Sequence, residues 1–276
     1  MDSNAIFDLI KKKHSFLCVG LDTDINKIPS SISGYDDAVF EFNRQIIDAT
    51  LPYAVAYKTN LAFYEAMGIK GMESLYKTVE YIRNKREPLF IIADAKRGDI
   101  GNTSGMYAYA YFKEMDFDAV TVSPYMGYDT VKPFLDYKGK WTVLLALTSN
   151  ESAADFQYFE NKAGKRLYEE VLEKAAEWGN EDNMMFVAGA TKAGELQNIR
   201  KIVPGHFLLV PGVGAQGGNL REVAKYGMNE KCGIIVNASR SVIYASHGSD
   251  FAQKAGESAK VLQSEMESIL KSRGYL

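Results

Sequence analysis

Residues 89–104, LFIIADAKRGDIGNTS, carry the strongest signal for the fold. The segment opens with a continuous apolar run, which is typical of a parallel strand buried on both faces. It then reaches Asp94, Lys96 and Asp99 in the pattern D-x-K-x-x-D. Residues two apart on a strand point the same way, so we expect Asp94 and Lys96 to project together. Arg97 should point away from them, as a solvated or helix-facing charge.

Similar runs recur along the whole chain, and together they predict eight strands. Stretches with helical period lie between them, such as Val39, Phe42 and Ile46 after the capping candidates Asp36 and Asp37. The predicted strands are FLCVGLD, AVAYKTN, LFIIADAK, AVTVSP, TVLLALTS, MMFVAGA, HFLLVPGV and GIIVNAS.

This alternation of strand and helix predicts a single α/β domain over residues 1–276, a (β/α)8 barrel of the TIM type. A short amphipathic helix with Ile6, Leu9 and Ile10 on one face should precede it. A doubly wound open sheet is the competing architecture. It would usually place a GxGxxG turn after the first strand, where this chain instead has GLDTD at 20–24.

Composition excludes several classes of partner. The 276 residues include 32 Lys and Arg against 35 Asp and Glu, so no basic field points to nucleic acid. No apolar run approaches the roughly 18 residues of a membrane helix. The acids Asp2 and Asp8 near the N-terminus do not fit a secretory signal. Cys18 and Cys232 are expected as buried free thiols, and we therefore predict a cytoplasmic protein.

Polar residues gather where the predicted strands end. In a barrel the C-terminal strand ends converge on one face, which is the catalytic face. Polar residues also end strands merely because loops are wet, but this alternative does not explain why charges begin where apolar strands finish. The residues concerned are Asp22, Lys58, Asp94, Lys96, Ser123, Ser149, Gly212 and Asn237.

The paired charges of Asp94 and Lys96 favour catalysis over stability. Burying a carboxylate beside an ammonium costs several kcal/mol of desolvation per ion. A structural ion pair remains the alternative to a catalytic group.

Two further segments are candidates for a phosphate site. The glycines of VPGVGAQGGNL, after the seventh strand, allow backbone N–H groups to turn around an anion. NASRS follows the eighth strand and is expected to open a helix whose N-terminus favours phosphate, with Arg240 able to hold two oxygens. A flexible turn and a surface arginine are the alternative interpretation.

The segment DAKRGDIGNTS resembles the signature of the orotidine 5'-phosphate decarboxylases, and the longer chain resembles their extended bacterial subgroup. Asp22 in VGLDTD, Lys58 in YKTN, PGVGAQGG at 211–218 and Ser239-Arg240 occur in the family's order. D-x-K-x-x-D alone is shared with related sugar-phosphate aldolases, whereas its combination with PGVGAQGG is much more selective. The resemblance implies a ribulose-phosphate-binding type of barrel that makes uridine 5'-phosphate in pyrimidine biosynthesis.

The resemblance also implies roles for the charged residues. Lys96 would stabilise a carbanion at C6 of the orotate ring and protonate it, with no metal and no cofactor. Asp94 would hold Lys96, while Lys58 and Asp22 would reach the ribose. In the family the last acid of the motif crosses a homodimer interface. Asp99, with Ile100 and Thr103, would therefore serve the neighbouring subunit's site.

The same resemblance assigns the remaining contacts to substrate. Ser149 would read the pyrimidine, with Thr148 as an alternative because the alignment of this strand end is open by one residue. Gln216 and Arg240 would contact the phosphate, with backbone help near Ser239, where shorter family members tend to have glycine. Pro211 and Gly217 belong to the same phosphate-binding segments.

Several alternatives stay open. His14, His206 and His247 are scattered and form no metal-ligand pattern, which disfavours a sugar-phosphate epimerase. A hexulose-phosphate synthase type aldolase would use a divalent metal, and a phosphate-binding barrel without catalysis would have no reason to keep the charged set. The insert ESAADFQYFENKAG, at 151–164, is either part of a lid or a surface decoration.

Overall fold

The computed structural model describes residues 1–190, 193–212 and 218–276, and its centre is a closed barrel of eight parallel strands in sequential order. Closure between the first and last strands excludes the open sheet and confirms the predicted barrel. The strands are β1 (Leu17–Gly20), β2 (Ala54–Asn60), β3 (Phe90–Arg97), β4 (Ala119–Val122), β5 (Trp141–Leu147), β6 (Met184–Ala188), β7 (Phe207–Pro211) and β8 (Ile234–Ala238).

Helices follow the strands and surround the barrel. They are α1 (Ser3–Lys13), α2 (Ala38–Thr50), α3 (Leu61–Glu65), α4 (Gly68–Arg83), α5 (Gly101–Tyr109), α6 (Tyr128–Leu135), α7 (Leu167–Ala176), α8 (Ala193–Ile202), α9 (Leu220–Gly227), α10 (Arg240–Ile243) and α11 (Phe251–Ser272). A short π-helical segment, Ala110–Glu114, extends α5.

Capping and periodicity explain where the helices lie. The Asp37 carboxylate accepts a hydrogen bond from the backbone N–H of Phe40 at 3.0 Å, so it satisfies one of the free donors at the start of α2. The apolar residues Val39, Phe42 and Ile46 are all buried, as their spacing predicts.

The N-terminal helix α1 packs against β2 and is present as predicted. Ile6, Leu9 and Ile10 are buried on one face. Asp2 caps the helix by accepting from the N–H of Ala5 at 2.8 Å. The indole N–H of Trp141, at the start of β5, donates to the Met1 carbonyl at 2.7 Å and ties the N-terminus to the barrel.

Strand residues are buried on both faces, because side chains of one face fill the barrel and those of the other pack under the helices. Cys18 and Cys232 are buried free thiols. None of the helices in the described parts of the chain combines the length and apolar character needed to cross a lipid bilayer.

One irregularity interrupts the barrel at the charged segment of β3. Ala93 pairs with Val120 on β4, and the next pair joins Arg97 to Val122, so the register shifts between them. Within this shift Lys96 has a φ of 48°, in the left-handed region that residues with a side chain rarely adopt. Backbone strain is often found at functional sites, so Lys96 is a candidate functional residue.

Candidate active site

The ends of β2 and β3 bring the predicted charges into one network. The ammonium of Lys96 lies 2.6 Å from Oδ1 of Asp94, and the ammonium of Lys58 lies 3.0 Å from Oδ2 of the same carboxylate. Lys58 also contacts Asp22, after β1, at 3.3 Å. The order Asp22, Lys58, Asp94, Lys96 therefore alternates in sign across three adjacent strands.

Burial makes this network electrostatically strong. The Lys58 side chain is only 4% exposed, whereas that of Lys96 is 50% exposed and reaches the solvent side. Burial alone would lower the pKa of Lys58, but Asp22 and Asp94 outweigh it and raise the pKa above its usual range. Lys58 is thus a permanent buried cation.

Asp94 is held as an anion by its neighbours. Burial alone would raise its pKa, but the ammonium groups of Lys58 and Lys96 lower it to about 2. A group with this pKa is deprotonated near neutral pH and is a poor proton donor there. Lys96 is therefore the residue of this pair that can supply a proton.

Thr121 on β4 joins this network, although no motif in the sequence marks it. Its hydroxyl oxygen accepts from the backbone N–H of Lys96 at 2.8 Å, and its hydroxyl contacts Oδ1 of Asp94 at 3.1 Å. The only signal in the sequence is a single polar residue within the run AVTV.

Arg97 was predicted to be either a solvated or a helix-facing charge, and it faces the helices. It pairs with Glu65 at the end of α3, and its guanidinium lies over the rings of Tyr107 and Tyr111. It therefore packs behind β3 and is separate from the charged network.

Asp99 and its neighbours lie outside the network of a single chain. The hydroxyl of Ser104 donates to the Asp99 carbonyl at 2.8 Å and fixes the backbone just before α5. The Asp99 carboxylate accepts from the N–H of Ile100 and has no cationic partner among the described residues. Ile100 is 61% exposed, and Thr103 is partly exposed on the first turn of α5.

The end of β5 forms the neighbouring wall. Ser149 and Thr148 both line the cavity beside the charged network. Gln157, from the insert at 151–164, accepts from the backbone N–H of Thr148 and donates to its hydroxyl, both at 2.8 Å. The insert therefore supports Thr148, a contact that no local sequence pattern signals.

The strand ends enclose a cavity of about 340 Å³, near the lower end of the range for small-molecule sites. Its walls carry the charged groups on one side and apolar and neutral polar groups on the other. The lining residues are Lys58, Asp94, Lys96, Thr121, Leu145, Thr148, Ser149, Asn150, Val187, Leu209 and Pro211.

The expected phosphate end lies at β7 and β8. Pro211 pairs with Asn237, which places the two strand ends side by side. Ser239 precedes α10, and the exposed Arg240 forms no salt bridge with any residue in the described ranges. The helix α10 has only four residues, so a phosphate here would depend on Arg240 more than on a helix dipole.

The other two phosphate candidates, Gln216 and Gly217, lie outside the described residues.

No group of three or more His, Cys, Asp or Glu side chains within 1–190, 193–212 and 218–276 is placed to hold a metal ion. The three histidines have different partners: His14 pairs with Glu267, His206 packs on Phe186 and His247 stacks on Tyr244.

Comparison with known proteins gives one consistent result. The model of the "Orotidine 5'-phosphate decarboxylase / HUMPS family" matches residues 15–255. A relative from Phocaeicola vulgatus named orotidine 5'-phosphate decarboxylase is 59% identical, over 98% of this chain and 99% of its own. One of the same name from Porphyromonas gingivalis is 55% identical over all of both chains.

Solved structures agree with the fold. The putative orotidine-monophosphate-decarboxylase of Toxoplasma gondii has a TM-score of 0.85 and 32% identity, and the match covers 98% of this chain and 97% of that one. The OMP decarboxylase of Leishmania donovani has a TM-score of 0.82 and 32% identity, covering 98% and 99%. With both its barrel and its sequence matched almost end to end, this chain belongs to the orotidine 5'-phosphate decarboxylase family.

Proposed function

We propose that this enzyme decarboxylates orotidine 5'-phosphate to uridine 5'-phosphate, the last chemical change in making that nucleotide. Relatives named for this activity match the chain from end to end. The observation that carries the mechanism is the alternating network of Asp22, Lys58, Asp94 and Lys96 beside the cavity.

The chemistry needs a fixed positive charge. When the bond between C6 and the carboxylate breaks, carbon dioxide leaves and the electron pair stays on C6, in the plane of the ring. No ring carbonyl is placed to delocalise it. The Lys96 ammonium stabilises this pair and then transfers a proton to C6, and solvent returns a proton to Lys96.

The other charged residues keep that ammonium in place. Asp94, ionised because of its two lysine neighbours, holds Lys96 through the 2.6 Å contact. Lys58 balances the second oxygen of Asp94 and, with Asp22, faces the ribose hydroxyls. A fixed arrangement of charges costs no reorganisation when charge develops in the transition state.

Neutral and phosphate contacts complete the binding of the nucleotide. Ser149 reads the pyrimidine from the end of β5, with Thr148 beside it. Arg240 and the segment at 211–218, including Gln216 and Gly217, bind the phosphate, with backbone help near Ser239. Because the phosphate is remote from C6, its binding energy supports the chemical step from a distance.

A homodimer belongs to this proposal. Asp99 of each subunit, with Ile100 and Thr103, would complete the site of the other. Two features support it: the Asp99 carboxylate has no cationic partner among the described residues, and the neighbouring Ile100 is 61% exposed. We also propose that residues 1–276 act as one decarboxylase domain in the cytoplasm, where two buried thiols would stay reduced.

The direct test is the loss of orotidine 5'-phosphate, followed by absorbance in the presence of a chelator. We expect equal amounts of substrate lost and uridine 5'-phosphate formed, with no decrease in rate after metal removal. Folded protein that leaves the substrate intact would refute the proposal. A protein that leaves orotidine 5'-phosphate intact but cleaves a hexulose phosphate only with a divalent metal would favour the aldolase alternative.

Mixing two inactive variants tests the shared site. Lys96→Ala and Asp99→Ala homodimers should each be nearly inactive. In a mixed dimer one site keeps Lys96 from one subunit and Asp99 from the other. After subunit exchange of equal amounts, we expect about a quarter of the wild-type activity, because half the dimers have one intact site of two. Failure to recover activity, despite mixed dimers seen by native mass spectrometry, would contradict sharing of Asp99.

A further inference from the structure

We propose that Thr121 is a positioning residue for the reaction, whose hydroxyl sets the direction of the Lys96 ammonium. It would do so by fixing both the left-handed turn of the Lys96 backbone and the Asp94 carboxylate. This inference rests on the proposed function, and it assigns no contact between Thr121 and the reacting atoms.

The strand register explains why a side chain is needed here. Ala93 pairs with Val120 and Arg97 pairs with Val122, so residues 94–96 of β3 lie opposite the single residue Thr121 of β4. Regular pairing of the backbone is therefore interrupted across this span. The Thr121 hydroxyl oxygen takes the place of a backbone acceptor and binds the N–H of Lys96 at 2.8 Å.

The Thr121 hydroxyl can bond to the Lys96 backbone and to the Asp94 carboxylate at the same time. A threonine hydroxyl has one proton to donate and lone pairs that accept. Its lone pair is used by the Lys96 N–H, and its proton is directed to Oδ1 of Asp94 at 3.1 Å. That same oxygen binds the Lys96 ammonium at 2.6 Å.

Thr121 thus bonds both to the backbone of Lys96 and to the Asp94 carboxylate that holds the Lys96 ammonium. The side chain is 1% exposed, so water has little access to replace the hydroxyl. The turn that it supports has a φ of 48° at Lys96, a conformation that needs support from its surroundings.

Two substitutions separate the hydroxyl from the volume of the side chain. Thr121→Val keeps the shape and removes the hydroxyl, whereas Thr121→Ser keeps the hydroxyl. Because a displacement of about 1 Å at a reacting group can cost 10²-fold, we expect Thr121→Val to lower kcat by about that factor. The Kd for uridine 5'-phosphate should stay within about threefold, and Thr121→Ser should regain most of kcat.

Thr142 on β5 provides a matched control. It is also a fully buried strand threonine, and its hydroxyl has no hydrogen-bond partner among the described residues. Thr142 lies next to Val143, the β5 partner of Thr121, but its hydroxyl bonds to neither Lys96 nor Asp94. Thr142→Val therefore makes the same chemical change close to Thr121 without removing a bond to the charged network, and it should leave both kcat and KM as in the wild type.

The outcomes are distinct. Rates are expressed per site that binds uridine 5'-phosphate, so a partly unfolded preparation does not imitate a slow enzyme. Wild-type enzyme without turnover would refute the proposed function itself. An active wild type with an equally fast Thr121→Val, a loss confined to KM, or no recovery in Thr121→Ser would overturn the positioning role. If Thr121→Val does not fold, Thr121→Ala is compared with Thr121→Ser by the same criteria.

Discussion

Lys96→Ala is expected to lower turnover by about 10⁴-fold or more while leaving nucleotide binding measurable. In the proposed mechanism, the substitution removes the charge that stabilises the C6 carbanion, worth about 10²–10³-fold, and the proton that is transferred to it, worth about 10²–10⁴-fold. Asp94 cannot take over as the donor because its pKa is about 2. The measurement is the single-turnover rate with orotidine 5'-phosphate, beside the Kd for uridine 5'-phosphate.

Lys132 offers a close control for this experiment. Its side chain is 50% exposed and lies 2.6 Å from Asp136, the same exposure and contact distance as Lys96 with Asp94, but it lies on α6. Lys132→Ala should keep full turnover. Unchanged turnover in Lys96→Ala would refute the role assigned to this lysine.

The second large effect is expected at Arg240. Removing its guanidinium should weaken binding of uridine 5'-phosphate by about 10²-fold, since a charge-assisted hydrogen bond is worth about 1.5–3 kcal/mol and two can form to one phosphate. Binding of uridine, which has no phosphate, should change little. Calorimetric titration of Arg240→Ala with both ligands measures the difference.

Arg86 is a suitable comparison for Arg240. It is also exposed, but it precedes β3 and therefore lies at the opposite end of the barrel from the site. Arg86→Ala should bind both ligands normally. Equal losses for the nucleotide and the nucleoside in Arg240→Ala would remove the phosphate assignment.

Most of the architecture is predictable from the sequence because burial on both faces of a parallel strand leaves a continuous apolar run. All eight runs became strands, and the AVAYKTN run matches β2 from Ala54–Asn60 without a shift. The first residue of a helix could also be predicted where the sequence has a capping residue, as at Asp37 before α2. The short helix α10 differs from expectation, because the segment that follows Ser239 continues for a single turn only.

The charged network was predictable for a related reason. Asp94 and Lys96 are two residues apart at a strand end, a spacing that predicts neighbouring side chains. They are in contact even though the strand is irregular between Ala93 and Arg97, and the adjacent strand end brings Lys58 to them. The residue type and the position at a strand end were enough to predict these charged groups. Their hydrogen-bond partners on neighbouring strands could not be predicted, because those contacts depend on the register between the strands.

Thr121 and Gln157 show what sequence reasoning missed. Thr121 meets Lys96 only because three residues of β3 lie opposite one of β4, a bulge that no pattern in the sequence marks. Gln157 reaches back nine residues to Thr148 from a segment without periodicity. Asp99 was assigned through the family resemblance, and the contact expected of it belongs to a second chain.

The contrast between a buried network and an exposed arginine gives the enzyme two different sensitivities to ionic strength. Lys58 and Asp94 are 4% and 13% exposed, so dissolved ions screen their attraction weakly. Arg240 stands in solvent, where mobile ions compete for its charge and the Debye length is about 8 Å at physiological salt. Added salt should therefore lower the occupancy of the site by nucleotide, while the reaction rate of nucleotide that is already bound stays the same.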